Sequence, residues 1–340
     1  MRALYYPEYG SLTLADLLEP EPAPDGVLLQ VAAAGICGSE LETYRAHSPR
    51  RKPPLVMGHE FCGTVVSVGA NVSGDLLHRR FVSNSVVSCG ECVRCQRGNT
   101  HLCAQRQIFG MHRGGAFAQY CAVPVKCLIP WPEALPAASA CLAEPLANGV
   151  HMVNLTRHLG PKTVLVIGAG PIGLMAQQAF QTMLGAEVSV AVRSPMRINA
   201  ARSLGAKRAF DPRKEDPAAV GREMTSGEGF DMVIDAVGSD ITKSQSIEAL
   251  RPGGAAVWIG LGDEKISFSS YAVTLQERQI FGTYAATMGE LQTAVDLMNA
   301  GKVDTSSWVS VFPMSDAVDA FERMLDTKGT DIKAVILPND

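Results

Sequence analysis

Thr163-Val164-Leu165-Val166-Ile167 runs directly into Gly168-Ala169-Gly170-Pro171-Ile172-Gly173, and this junction of a β-branched run with a glycine turn decides the fold of the C-terminal half. A Gly-x-Gly-x-x-Gly match alone is weak, because glycine turns are common. Between a strand and a helix it has a mechanism: Gly168 allows the turn, Gly170 lets the backbone approach a pyrophosphate, and Gly173 lets the helix pack closely. Pro171 and Ile172 open that helix, whose N-terminus offers free amide donors and positive potential to phosphates. Working outward, apolar runs at 187–192, 208–210, 230–235 and 255–261 alternate with helical patterns. Such alternation predicts an α/β unit with a doubly wound parallel sheet.

The second of these runs ends at Val190-Ala191-Val192, where an acidic residue would mark recognition of a ribose 2′-hydroxyl. There is none. Arg193 and Ser194 follow at once, with Arg197 one turn on. An arginine there meets a 2′-phosphate in a bidentate or stacked geometry, and a serine donates to it. The alternative is that both arginines are solvated charges at a helix start. The missing acid and the gained bases together favour NADP(H) over NAD(H).

Upstream, from residue 1 to about 149, short β-branched runs such as Gly26-Val27-Leu28-Leu29-Gln30-Val31 alternate with glycine and proline, the pattern of a mostly β domain. Within it lie Cys89, Cys92, Cys95 and Cys103. Their close spacing suits four thiolates converging on one tetrahedral zinc ion, with Gly90 and Gly98 making the tight turns. Two disulfides are the alternative. The start, Met1-Arg2-Ala3-Leu4-Tyr5-Tyr6, lacks the apolar core of a signal peptide, so a cytoplasmic location is expected, where the nine cysteines stay reduced. At 340 residues two domains are expected, and a net charge of −4 without a basic cluster argues against nucleic acid. No apolar run approaches the roughly 20 residues that cross a bilayer. Beyond about 282, an amphipathic helix at 288–299 and a strand at 333–337 form a tail that belongs with the first domain.

Away from the thiol cluster stand Gly35-Ile36-Cys37-Gly38-Ser39-Glu40, Gly58-His59-Glu60 and Ala143-Glu144-Pro145-Leu146. Singly, a cysteine or histidine is ordinary core filling. Together they supply one thiolate, one imidazole and carboxylates, a set that suits a second zinc with an open position.

With Gly114-Gly115-Ala116-Phe117-Ala118-Gln119-Tyr120, Phe230-Asp231-Met232-Val233-Ile234-Asp235 and Arg251-Pro252-Gly253-Gly254 added, the chain resembles the zinc-dependent medium-chain dehydrogenases/reductases, nearest the sorbitol, threonine and galactitol-phosphate dehydrogenase group. The resemblance implies a GroES-like catalytic domain (1–149 and 283–340, with a structural-zinc lobe near 89–103) interrupted by a Rossmann domain (150–282). It implies two zinc ions per chain: a catalytic one on Cys37 and His59, with Glu60 and Glu144 as carboxylates that ligate it or hold its water, and a structural one on the four cysteines. Ser39 matches the hydroxyl that hands the substrate proton toward solvent. The implied activity is hydride transfer between the nicotinamide cofactor, NADP(H) on the reading above, and a secondary alcohol or ketone, foremost a polyol, cyclitol or sugar alcohol, with an amino or simple alcohol as alternative. Relatives are homodimers or homotetramers.

Two departures from the pattern stand out. Glu40 replaces the usual aspartate, and Glu42 occupies a position where sorbitol and threonine dehydrogenases often carry histidine, so the proton relay stops at Ser39 and water or uses a carboxylate. Tyr44, His112, Arg113 and Tyr284 are candidates to line a hydroxylated substrate's pocket, with ordinary loop packing as the alternative. Arg50-Arg51-Lys52 reads as a solvated loop, with binding of a substrate phosphate as the alternative. A zinc-ribbon module lacks the basic and aromatic pattern it would need, and a non-enzymatic NADP-binding redox sensor would not require Cys37, His59 and Glu144.

Overall fold

The computed structural model describes residues 1–326 and 329–340. The chain forms two compact units, Met1–Ala147 with Ala285–Asp340, and Asn148–Tyr284.

The second unit carries six parallel strands in the spatial order Arg208–Phe210, Glu187–Ala191, Thr163–Ile167, Phe230–Asp235, Leu250–Trp258 and Gln279–Gly282. This is the doubly wound dinucleotide-binding order, which reverses between Thr163–Ile167 and Phe230–Asp235. Val164, Leu165, Val166 and Ile167 are all buried, as expected of a central strand covered on both faces. The helix that follows, Pro171–Leu184, has proline in its first turn and ends at Gly185 in the left-handed conformation, the usual stop signal.

The sequence reading of the fifth strand needs correction. Expected at 255–261, it spans Leu250–Trp258. Arg251-Pro252-Gly253-Gly254 reads as a turn, yet the ladder with Phe230–Asp235 runs through it with a register shift between Phe230 and Met232. Gly253, at φ +69°, supplies the bend. The second strand ends at Ala191 rather than 192.

The first unit is built on a seven-stranded sheet in which Gly26–Gly35 pairs antiparallel with Glu60–Val68 and with Tyr120–Pro124. Lys333–Leu337 joins the far end of Gly26–Gly35 through Val335 opposite Gly35. Tyr6, Phe61, Phe109, Phe117 and Phe321 fill the core beside it. The ends of these strands set the site: Cys37 follows Gly26–Gly35, Glu60 opens Glu60–Val68, and Lys333 opens the closing strand. No helix of the described residues is long and apolar enough to cross a membrane.

Candidate metal and dinucleotide sites

Cys37 caps the helix Gly38–Ala46, and Glu40 in the first turn reaches back to it: the Cys37 amide donates to Glu40 Oε2 at 2.9 Å. The other oxygen, Oε1, accepts from the Gly58 amide at 2.9 Å and contacts His59 Nδ1 at 2.9 Å. One buried carboxylate therefore fixes both the cysteine and the histidine. With Nδ1 committed to Glu40, the other ring nitrogen, Nε2, is the one left for a metal, a carboxylate–histidine arrangement found behind many metal sites. Glutamate in place of aspartate gains the reach to span three partners. Burial works to raise the Glu40 pKa, but His59, its hydrogen bond and the Arg51 guanidinium outweigh it and hold the carboxyl below its usual range. Burial likewise opposes charge on His59, while Glu40 and Cys37 push its pKa well above the ordinary value. Gly58, at φ +101°, is required, because a Cβ would lie 2.7 Å from the Phe117 ring.

Cys37, His59 and Glu60 present ligand atoms that all lie within 4.8 Å of one another. Glu60 also pairs with Lys333 Nζ, which donates to the Ile36 carbonyl at 2.8 Å. Glu144 opens the helix Ala143–Thr156 and lies outside that three-residue group; its Oε1 accepts from Ser85 Oγ at 2.6 Å. Burial raises its pKa, His59 lowers it and the nearby Glu60 raises it again. Ser39 Oγ donates to Cys37 Sγ at 3.4 Å and accepts from Arg51 Nη2 at 3.0 Å. Glu42 is exposed.

The donor set fits a dication. Once a metal takes the protons of His59 and Cys37, three anions, Cys37, Glu40 and Glu60, stand against two buried cations, Arg51 and Lys333. Isolated buried charges are strongly disfavoured, and a divalent metal on thiolate, imidazole and carboxylate restores the balance.

The second cluster is a closed one. Cys89 and Cys103 sulfurs are 3.5 Å apart, Cys92 and Cys95 3.6 Å, and the pairs Cys89–Cys95 and Cys92–Cys103 3.9 Å. A tetrahedron with metal–sulfur bonds of about 2.3 Å has edges of roughly 3.8 Å. Disulfide bonds are far shorter, and all nine cysteines are free. Gly90 and Gly98 take φ of +86° and +82°, the turns on which the sequence reading relied. Backbone amides donate to the Cys89 and Cys103 sulfurs, and the amides of Ala104 and Cys95 lower the Cys92 pKa to about 6. Burial raises Cys95 to about 11; bound metal removes that proton.

The glycine turn has the openings a pyrophosphate needs. Gly168 sits at φ +96°, and a Cβ on Gly173 would fall 1.9 Å from the Gly168 carbonyl. A Cβ on Gly170, by contrast, would meet nothing closer than Arg197 Nη1 at 3.8 Å. Arg197 therefore reaches the mouth of the glycine turn. Its side chain, the Arg193 guanidinium and the Ser194 hydroxyl make no hydrogen bond or ion pair with any described residue. The nearby acid Asp211 is engaged by Arg213, which also donates to the Arg193 carbonyl at 3.1 Å.

Three of the candidate pocket residues, Tyr44, His112 and Arg113, have contacts that do not include Cys37. Tyr44 donates to the Gly10 carbonyl and packs on Phe321. His112 and Arg113 line a separate cavity of about 390 Å³ with Gln107, Tyr120 and Cys121. Tyr284 falls in the other unit. Lys333 and Arg51 were missed. The signal for Lys333 was a charge opening an otherwise apolar strand; Arg51 was hidden in its charge run.

Family models agree with this architecture: the alcohol dehydrogenase GroES-like domain matches residues 23–133, and the zinc-binding dehydrogenase model matches residues 171–300. D-arabitol-phosphate dehydrogenase of Enterococcus avium is 31% identical across 98% of this chain and 96% of its own. A structure described as a short chain alcohol dehydrogenase of E. coli CFT073, complexed with NADH, superposes with a TM-score of 0.91 at 26% identity, covering 99% of each chain. A protein of Sinorhizobium meliloti 1021 bound to NADP does so with a TM-score of 0.90 at 29% identity, again over 99% of each chain. The chain belongs to the zinc-dependent medium-chain dehydrogenase/reductase family. It is an oxidoreductase of the alcohol dehydrogenase type, using zinc and a nicotinamide cofactor.

Proposed function

We propose that this protein transfers hydride between NADP(H) and the secondary alcohol or ketone of a polyol, cyclitol or sugar alcohol. The catalytic zinc is held by Cys37, His59 and a carboxylate, Glu60 or Glu144, and the structural zinc by Cys89, Cys92, Cys95 and Cys103. When bound, the metal supplies Lewis acidity toward the substrate oxygen and the nicotinamide supplies or takes the hydride. The chain's own residues do the rest. Glu40 locks the His59 ring and the Cys37 backbone. Lys333 restrains one oxygen of Glu60, and Ser85 holds Glu144. Ser39 Oγ, 3.4 Å from Cys37 Sγ, would hydrogen-bond a substrate oxygen placed beside Cys37.

The preference for NADP(H) rests on one observation: Arg193, Ser194 and Arg197 are all without internal partners around a strand end that has no free acid. Guanidinium groups and a hydroxyl left without internal partners at this strand end are the donors that a phosphate takes, and this supports the NADP(H) reading. Two roles separate: Arg193 and Ser194 serve the 2′-phosphate, and Arg197 the pyrophosphate beside Gly170. The polyol class draws support from the arabitol-phosphate relative and from a carboxylate-rich ligand set.

A panel of polyols, cyclitols, amino alcohols and simple alcohols, run with both oxidised cofactors, tests the assignment. Turnover should be fastest on a vicinal diol or cyclitol, and NADPH should bind at least about 10-fold tighter than NADH, the worth of one charged contact. Arg193→Ala should erase most of that difference. Tighter binding of NADH would overturn the NADP reading; preferential turnover of an amino alcohol would overturn the polyol reading; no turnover with NADPH bound would favour a sensor.

We also propose a homodimer or a homotetramer built from it, in a reducing compartment such as the cytoplasm. Gln279–Gly282 is an edge strand paired on one side only, and Ile280 on it and the nearby Tyr271 and Leu275 are exposed. An open apolar edge of this kind invites pairing with a second copy. Sedimentation should give at least a dimer, and Ile280→Lys should yield monomers; a wild-type monomer at micromolar concentration would refute this.

A further inference from the structure

The run Arg50-Arg51-Lys52, expected to be a solvated loop, hides a buried arginine. Arg51 is 3% exposed and has no carboxylate within 4.0 Å among the described residues. Its Nε donates to the Gly110 carbonyl at 3.0 Å, Nη1 to the Ser39 carbonyl at 2.9 Å and to Thr43 Oγ1 at 3.1 Å, and Nη2 to Ser39 Oγ at 3.0 Å. Four of the five guanidinium protons are thus placed, and two of them fall on one residue, Ser39. A buried guanidinium is a costly way to hold a loop, since neutral donors satisfy carbonyls without the desolvation of a charge. Besides favouring the Glu40 carboxylate, this one is turned on the hydroxyl that touches Cys37 Sγ.

A guanidinium donates and cannot accept. Ser39 Oγ is therefore an acceptor toward Arg51, and its single proton is turned the other way, where it meets Cys37 Sγ at 3.4 Å. The bond to the Ser39 carbonyl fixes the backbone beneath the same side chain. Without the histidine that relatives often carry at position 42, nothing else among the described residues orients this hydroxyl: Thr43 and Gly110 are held by Arg51 without contacting it.

We propose that Arg51 is a positioning residue that commits the Ser39 hydroxyl to donating toward the substrate oxygen beside Cys37, and that its fixed charge favours negative charge on that oxygen. This rests on the reading of Ser39 given above.

A double-mutant cycle tests it with Arg51→Gln, Ser39→Ala and the double variant, each zinc-replete, on the best substrate of the panel. The second readout needs no turnover: the dissociation constant of 2,2,2-trifluoroethanol, a non-oxidisable alcohol, in the complex with oxidised cofactor, by titration calorimetry. Arg51→Gln should lower kcat about 30-fold and weaken trifluoroethanol about 10-fold, within the range of supporting residues around metal sites. In the Ser39→Ala background the same change should cost less than about 3-fold in either. Arg51→Lys, which keeps the charge and loses the fork, should recover part of kcat without changing KM. If Arg51→Gln fails to fold, the cycle is run with Arg51→Lys. Additive effects in the two backgrounds would overturn the positioning role while leaving the site assignment intact. A wild-type protein that neither turns over the panel nor binds trifluoroethanol would overturn both.

Discussion

Replacing Cys37 by serine should lower kcat at least about 10³-fold and reduce the metal content from two zinc ions per chain to one, with NADPH affinity within about twofold of wild type. The size follows from the chemistry. Lewis-acid stabilisation of a developing oxyanion supplies several kcal/mol, and each 1.36 kcal/mol is a factor of ten in rate. Cys37 is one of three described residues whose ligand atoms converge within 4.8 Å at this site, and a serine hydroxyl does not ionise to replace the thiolate. Retention of cofactor binding follows from the division of the chain: Cys37 belongs to the first unit, whereas Gly168, Gly170, Gly173, Arg193 and Arg197 belong to the second. On the proposed assignment the remaining zinc is that of the four-cysteine cluster. Elemental analysis and a fluorescence titration check all three quantities. A Cys37→Ser enzyme that keeps two zinc ions and normal turnover would show that the metal sits elsewhere.

What could be read from the sequence divides along a physical line. The central strand Thr163–Ile167, buried from Val164 on, announces itself as a continuous apolar run, and Arg208–Phe210, Phe230–Asp235 and Lys333–Leu337 also have the limits their patterns predict. Gln279–Gly282 escaped because an exposed edge strand has little apolar signature. The beginning of Leu250–Trp258 escaped because proline and two glycines mimic a turn. Candidate metal donors stand out in a sequence for a different reason: thiols and imidazoles are scarce and chemically committed. The groups behind them are not. Glu40 looked like a conservative departure, yet it joins Cys37, Gly58 and His59. Arg51 looked like one charge in a run of three. Which carboxylate meets which cation depends on strands more than 270 residues apart, as with Glu60 and Lys333, and no local pattern carries that.

The last of these pairs gives the largest stability effect. Lys333 is completely buried and Glu60 is 1% exposed. Burial works to lower the Lys333 pKa, but Glu60 and Cys37 raise it above the ordinary value, so the amine stays charged. Gly35 is what lets the pair form, since a Cβ there would lie 2.5 Å from Glu60 Oε2 and 3.0 Å from Lys333 Cε. Lys333→Met keeps the volume of the side chain and removes its charge, leaving a buried carboxylate opposite nothing. Breaking a buried pair from one side typically costs about 3–5 kcal/mol, which for a unit of this size is a melting shift on the order of 10 °C. Removing the other partner as well, in Glu60→Gln/Lys333→Met, should restore at least about half of the loss, because the cost lies in the stranded charge rather than in the missing contact. The destabilisation should also grow after zinc is stripped with a chelator, since a bound dication takes over part of the compensation of Glu60. Calorimetric melting of the three forms, with and without chelator, measures each of these differences. A Lys333→Met protein as stable as wild type in both states would mean that Glu60 is held neutral at this site, and the charge balance that favours a dication on Cys37, His59 and Glu60 would have to be redrawn.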